Sequence, residues 1–198
     1  MKKLLLSLMI AFAAYAVQAQ ETKPFIYGGI GSGDFWLQNA EGVDPIFAYN
    51  VGVGLELPFN QSNWGFQPAL QFLSKGGKDE EQNLTMRMSY LEVPLDFFYK
   101  NSFNAKWGYK IAFGPYLGYG ITGDTTVKVG NVKTSVSSFG DQIGFRRFDA
   151  GLNLQALMTT GNLFFGFNYD FGFIPIHEKV DEAFPCNNSS VVTLGIYF

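Results

Sequence analysis

From Asn162 to Pro175 the chain alternates strictly for most of its length. Leu163, Phe165, Phe167, Tyr169, Phe171 and Phe173 share one parity, and Asn162, Gly166, Asn168, Asp170 and Gly172 the other, with Phe164 and Ile174 as exceptions. A period of two is a strand. Six large apolar groups on one face need an apolar neighbour, and lipid supplies one. A tilted membrane-spanning strand takes about 9 to 11 residues, which this stretch provides.

The same period recurs along the chain. Phe25 to Gly33 reads as a first strand whose glycines leave its facing open. Phe47 to Leu57, Trp64 to Phe72, Tyr90 to Tyr99, Trp107 to Ile121, Arg147 to Ala156 and Ser190 to Phe198 alternate apolar with small or polar residues. That makes eight strands, joined by connections that run long, short, long, short, long, short, long, with Lys75 to Asn83 read as a charged loop. Unpaired backbone is too costly in lipid for an open sheet. The expected fold is therefore an all-β, eight-stranded antiparallel up-and-down transmembrane barrel spanning residues 20–198. Barrels of this kind put short turns in the periplasm, which places both termini there and the protein in a bacterial outer membrane.

Charge supplies an independent check. Glu56, Glu92, Asp96, Lys110, Arg147, Asp149 and Asp170 all fall on the parity opposite the large apolar residues. A basic group on the lipid face costs roughly 2 to 4 kcal/mol at the midplane, so inward charges are the arrangement a barrel requires. They are read as a lumen network inside a barrel about wide enough for its own side chains. Trp64, Tyr99, Trp107 and Phe198 come to the short-turn end, as an interfacial girdle does. Pro68, Pro94 and Pro115 lie inside strands, where missing donors predict local bulges.

Composition sharpens the picture at the ends. Lys2 and Lys3, an apolar run from Leu4 to Val17, and Val17-Gln18-Ala19 have the order of a signal peptide over residues 1–19. Without Lys2 and Lys3 the chain holds 12 basic against 17 acidic side chains, a net charge of −5 that points away from nucleic acid. A soluble lipocalin-like barrel would carry lysine and glutamate on its outer parity, which is uncharged here. Cys186 is the only cysteine, so no disulfide forms within the chain.

Tyr90-Leu91-Glu92-Val93-Pro94-Leu95 resembles the Tyr-Leu-Glu-Ile-Pro-Leu signature of the PorT-like family of small outer-membrane barrels. Phe148-Asp149-Ala150-Gly151-Leu152 is similar to that family's later aromatic-Asp-x-Gly segment. Leu194 to Phe198 resembles the terminal signal, ending in Tyr197 and Phe198, that the barrel-assembly machinery reads. The resemblance implies an OmpA/OmpX-type eight-stranded barrel, and some relatives are linked to a secretion apparatus.

Chemistry outside the lumen is sparse. His177 is the only histidine; with Glu178 and Ser189 or Ser190 it supplies the residue types of a hydrolytic site without any motif that fixes a nucleophile. No spacing suits a metal, and no cofactor is implied. Arg87 and Arg146 fall near the long-loop ends, where lipopolysaccharide phosphates would meet them. Asn83-Leu84-Thr85 is a chance glycosylation sequon. In the 123–144 connection, alternating residues flank Gly130-Asn131, which predicts a hairpin arm carrying the fifth and sixth strands beyond the membrane toward a protein partner. The function expected is a non-enzymatic barrel with a plugged lumen that presents loops or supports the envelope or secretion machinery. The alternatives are a lipid-modifying enzyme and a narrow pore.

Overall fold

The computed structural model describes residues 22–36, 43–80, 82–130, 132–141, 143–177 and 186–198. The signal-peptide reading, Glu178 and Asn131 lie outside them. Among the described residues nine strands form: β1 (Lys23–Trp36), β2 (Val43–Pro58), β3 (Trp64–Asp79), β4 (Leu84–Ser102), β5 (Trp107–Val129), β6 (Val132–Ser137), β7 (Phe148–Thr160), β8 (Leu163–Pro175) and β9 (Cys186–Tyr197).

Every neighbouring pair is antiparallel. β1 pairs with β2 and β9, and β4 pairs with β5, so eight strands close on themselves while β6 stands outside the ring as a partner of β5 alone. The expected closed, eight-stranded up-and-down barrel is the observed one. Among the described residues no helix is long and apolar enough to cross a membrane.

Burial alternates as the parities require. In β8, Phe165, Phe167, Tyr169 and Phe173 are exposed, while Phe164, Asn168, Asp170 and Gly172 are buried. The open question of β1 is answered by its aromatics: Phe25, Tyr27 and Phe35 turn inward, and Ile26 and Ile30 outward. At the short-turn end the girdle residues meet in pairs, with Trp64 and Tyr99 rings 5.2 Å apart and Trp107 and Phe165 6.2 Å apart.

The prolines act otherwise than expected. No bulge forms at Pro68, Pro94 or Pro115. Instead two residue pairs drop out of the ladder beside each, between Gly54↔Ala69 and Leu57↔Phe66, between Pro68↔Leu95 and Gln71↔Glu92, and between Pro94↔Tyr116 and Phe97↔Phe113. A missing N–H interrupts pairing, and the gaps step diagonally across β2 to β5 with register kept on either side. The bulges lie elsewhere. One leaves Ile121 of β5 unpaired between Ser89↔Thr122 and Tyr90↔Gly120, and the inward parity of β5 switches there, from Gly118 and Gly120 to Gly123 and Thr125.

Several strands run well past the expected ends. β3 continues through the stretch read as a charged loop, and Lys75 to Asp79 pairs with Leu84 to Met88. The sixth barrel strand does not continue into the arm: β6 is separate from β7, and residues 138–141 and 143–147 fold back between them.

Candidate functional site

The lumen is built from the inward parity of eight strands, which brings together residues far apart in sequence. Near the short-turn end, Lys110 Nζ lies 3.1 Å from Glu56 Oε2 and 2.6 Å from the Tyr197 hydroxyl, and also donates to Gln67 Oε1. Lys100, half-buried at the rim, pairs with the other oxygen of Glu56. Four aromatic rings, those of Phe25, Phe98, Phe164 and Tyr197, surround Lys110 at 5.1 to 5.6 Å, so the cation is held by both charge and ring faces.

Toward the middle, Gln67 Nε2 donates to Gln155 Oε1, and Gln155 Nε2 donates to Asp96 Oδ2 at 3.0 Å. Asn153 donates to Asp170 Oδ1 at 2.5 Å and Ser189 donates to Asp170 Oδ2 at 3.1 Å. Asp96 and Asp170 have no ion pair among the described residues. Neutral amides and a hydroxyl supply their partners.

The third cluster holds the cation that the sequence reading missed. Lys75 is fully buried, with Nζ 2.8 Å from Glu92 Oε1 and 3.0 Å from Asp149 Oδ2. The rings of Tyr90 and Tyr116 lie 5.1 and 5.0 Å away. Lys-Gly-Gly-Lys-Asp looks like a loop, yet Lys75 continues the inward parity of Gln67, Gln71 and Leu73, which is the cue that locates it.

Arg147, expected beside these groups, stands at the rim instead. It donates Nη1 to the Gly120 carbonyl at 2.8 Å, and its guanidinium lies 4.8 Å from the Phe139 ring centre. Lys75 takes the position among the lumen acids that the parity argument gave to Arg147. Arg87 reaches across Gly76 of β3 to donate to the Phe47 carbonyl at 2.8 Å, capping an oxygen that the β2 irregularity between Pro45 and Tyr49 frees from the ladder. Arg146 is half-buried at the same end, where its N–H donates to Ile176 O.

Apolar clusters close both ends of this polar column. Phe25, Tyr27, Leu157, Phe164 and Tyr197 pack at the short-turn end, with Phe164 and Tyr197 rings 4.8 Å apart. Phe35, Met88, Tyr90 and Ile176 form the other stopper, covered by Phe139 and Phe145 from the fold-back segment. Gly120 makes that cover fit: a Cβ there would lie 2.2 Å from the Phe139 ring. Between the stoppers a cavity of about 10 Å³ remains beside Phe25, Gln155, Asn168 and Thr193, room for about one water.

Beyond the long-loop rim, β5 and β6 form the expected hairpin, closed at Val129↔Val132 with Gly130 at a φ of 59°. Leu84 to Met88 of β4 pair along the other side of β5 and are themselves paired with Lys75 to Asp79 of β3, so the arm continues a sheet that runs from β3 to β6, and its edge unpaired among the described residues belongs to β6. β6 is exposed except for half-buried Val136. The buried hydroxyls of Thr125 and Ser138, 2.9 Å apart, tie its base. His177 bridges to Phe145. Ser189 turns into the lumen toward Asp170 and Ser190 faces out, so the two serines lie on opposite sides of the wall.

A closed antiparallel barrel with a charged, filled interior and an uncharged apolar exterior defines a small outer-membrane barrel protein. The chain belongs to the outer membrane protein beta-barrel domain family, whose model matches residues 18–178, and its location is the bacterial outer membrane. No curated protein matches it in sequence. Its fold is similar to that of Neisserial surface protein A, with a TM-score of 0.50 and 9% identity over 90% of this chain and 100% of that one. It is similar to a major outer membrane protein from Thermus thermophilus, with a TM-score of 0.50 and 14% identity over 90% of this chain and 100% of that one. The attachment invasion locus protein Ail of Yersinia pestis aligns at a TM-score of 0.46 and 13% identity over 90% of this chain and 100% of that one.

Proposed function

We propose that this barrel is a sealed, non-enzymatic anchor that presents the β4–β6 arm to a protein partner outside the cell. The observation that carries this reading is the contrast between its two halves. The lumen is packed with side chains and stoppered at both ends, whereas β6, among the described residues, ends the sheet in an exposed edge that no further strand pairs. A hairpin above the membrane adds nothing to the lipid-facing wall, and a free strand edge is a ready surface for strand addition.

In this reading both termini and the short turns face the periplasm. Arg87 and Arg146 then lie at the level of lipopolysaccharide phosphates, a group that guanidinium binds bidentately. Tyr197 and Phe198 serve the assembly machinery during insertion, and the likeness of the Tyr90 to Leu95 segment to the PorT-like signature supports that branch of the family.

The test replaces Val127 to Val136 with a short Gly-Ser linker, which keeps the Thr125–Ser138 tie. A photo-crosslinker at Thr134 on intact cells should capture a discrete protein that one at Ser62 in a short turn does not. The shortened barrel, crosslinked from exposed Ser137, should lose that product. Equal capture from Thr134 and Ser62, or retention of the product without the arm, would overturn the proposal.

A further inference from the structure

The outer wall is not uniformly closed. Between β2 and β3 the ladder lapses from Gly54↔Ala69 to Leu57↔Phe66, where Pro68 has no N–H to give. The pair bordering the lapse on one side, Gly54 and Ala69, is small. A Cβ on Gly54 would lie 2.3 Å from the Phe25 ring, so only glycine lets that lumen-side ring come up against the strand.

A groove of about 540 Å³ results, walled by Val53, Leu55, Leu70 and Phe198, with Phe25 and Ala69 from the inward parity in its floor. Every lining side chain is apolar, and the face is the one that meets lipid. The groove is shallow and open along its lipid side, so it can hold a chain lengthwise without enclosing it. Its extent is also informative. Val53 lies five residues from Pro58 at the end of β2, no more than about 17 Å at roughly 3.3 Å per residue and less with tilt. The groove therefore stays within about one leaflet of a hydrocarbon core about 30 Å thick.

We propose that this groove is a binding site for one fatty-acyl chain of a phospholipid drawn from the leaflet on the short-turn side. A concavity contacts a chain on several sides, where the convex wall elsewhere touches it on one, and summed dispersion contacts favour the groove. The choice of phospholipid over lipopolysaccharide rests on the proposed orientation, with short turns toward the periplasm.

Native mass spectrometry of the full-length barrel, titrated in detergent with dipalmitoyl phosphatidylethanolamine, tests this directly. One lipid should be retained per barrel. Val53→Trp and Leu70→Trp, which fill the groove from outside, should each weaken retention roughly tenfold, as leaving about two methylenes unburied would. Val192→Trp on β9 should leave it unchanged, and heat-modifiability checks that each variant is folded. No retained lipid, equal weakening by all three variants, or a barrel dimer in place of the lipid complex would overturn the site. Preferential retention of lipopolysaccharide would overturn the assigned leaflet. Each of these results is independent of whether the arm captures a partner, so the two proposals fail separately.

Discussion

Lys75 shows how one side chain organises the interior. It is the only cation near Glu92 and Asp149 among the described residues, and all three are buried. Removing one member of a buried ion group leaves the others uncompensated, at about 3 to 5 kcal/mol. Lys75→Met should lower the urea midpoint of the detergent-folded barrel by that order, and adding Glu92→Gln should recover part of the loss. An unchanged midpoint would mean that the triad contributes nothing. Gly120 offers a second test at this scale. A methyl group there collides with Phe139, an overpacking worth about 1 to 3 kcal/mol. Gly120→Ala should destabilise the barrel, and Phe139→Ala in the same chain should largely restore it. Additive losses would show that the two residues do not share this contact. Both residues were hard to find in the sequence for a shared reason. Lys75 sits in a glycine-rich charged run, and the need for Gly120 depends on a ring from a segment with no periodicity of its own.

At the scale of elements, strand parity was legible because lipid and lumen impose opposite chemistry on alternate residues. In β8 that rule holds from Leu163 to Phe173 with Phe164 as its one clear exception, and the structure gives Phe164 a place in the lower stopper. The rule loses force where lipid ends. β3 and β4 continue above the membrane, where polar residues are allowed on both faces, and composition there looks like a loop. It also fails at the Ile121 bulge, since one extra residue exchanges the two faces. The arm itself was legible from Gly130 and its flanks, whereas its pairing with β4 and the fold-back of 138–141 and 143–147 were not, because both depend on long-range pairing. Shortening Val127 to Val136 should leave heat-modifiability intact, since Thr125, Ser138 and Phe139 stay in place. Loss of folding in that variant would make the arm part of the barrel's stability and not an addition to it.

For the whole molecule, the account joins an uncharged outer wall, a polar column and two apolar stoppers into one closed body. Its proposed orientation predicts that Lys133→Cys is labelled by a membrane-impermeant maleimide on intact cells and Ser62→Cys is not, the native Cys186 being buried. Labelling of Ser62→Cys alone would reverse the barrel. The central claim is the seal, and single-channel recording in planar bilayers tests it most directly. The purified barrel should show no large, steady conductance, because side chains fill its lumen and apolar clusters close both ends. A reproducible open channel whose conductance changes in Lys75→Met would contradict the seal and make the protein a pore.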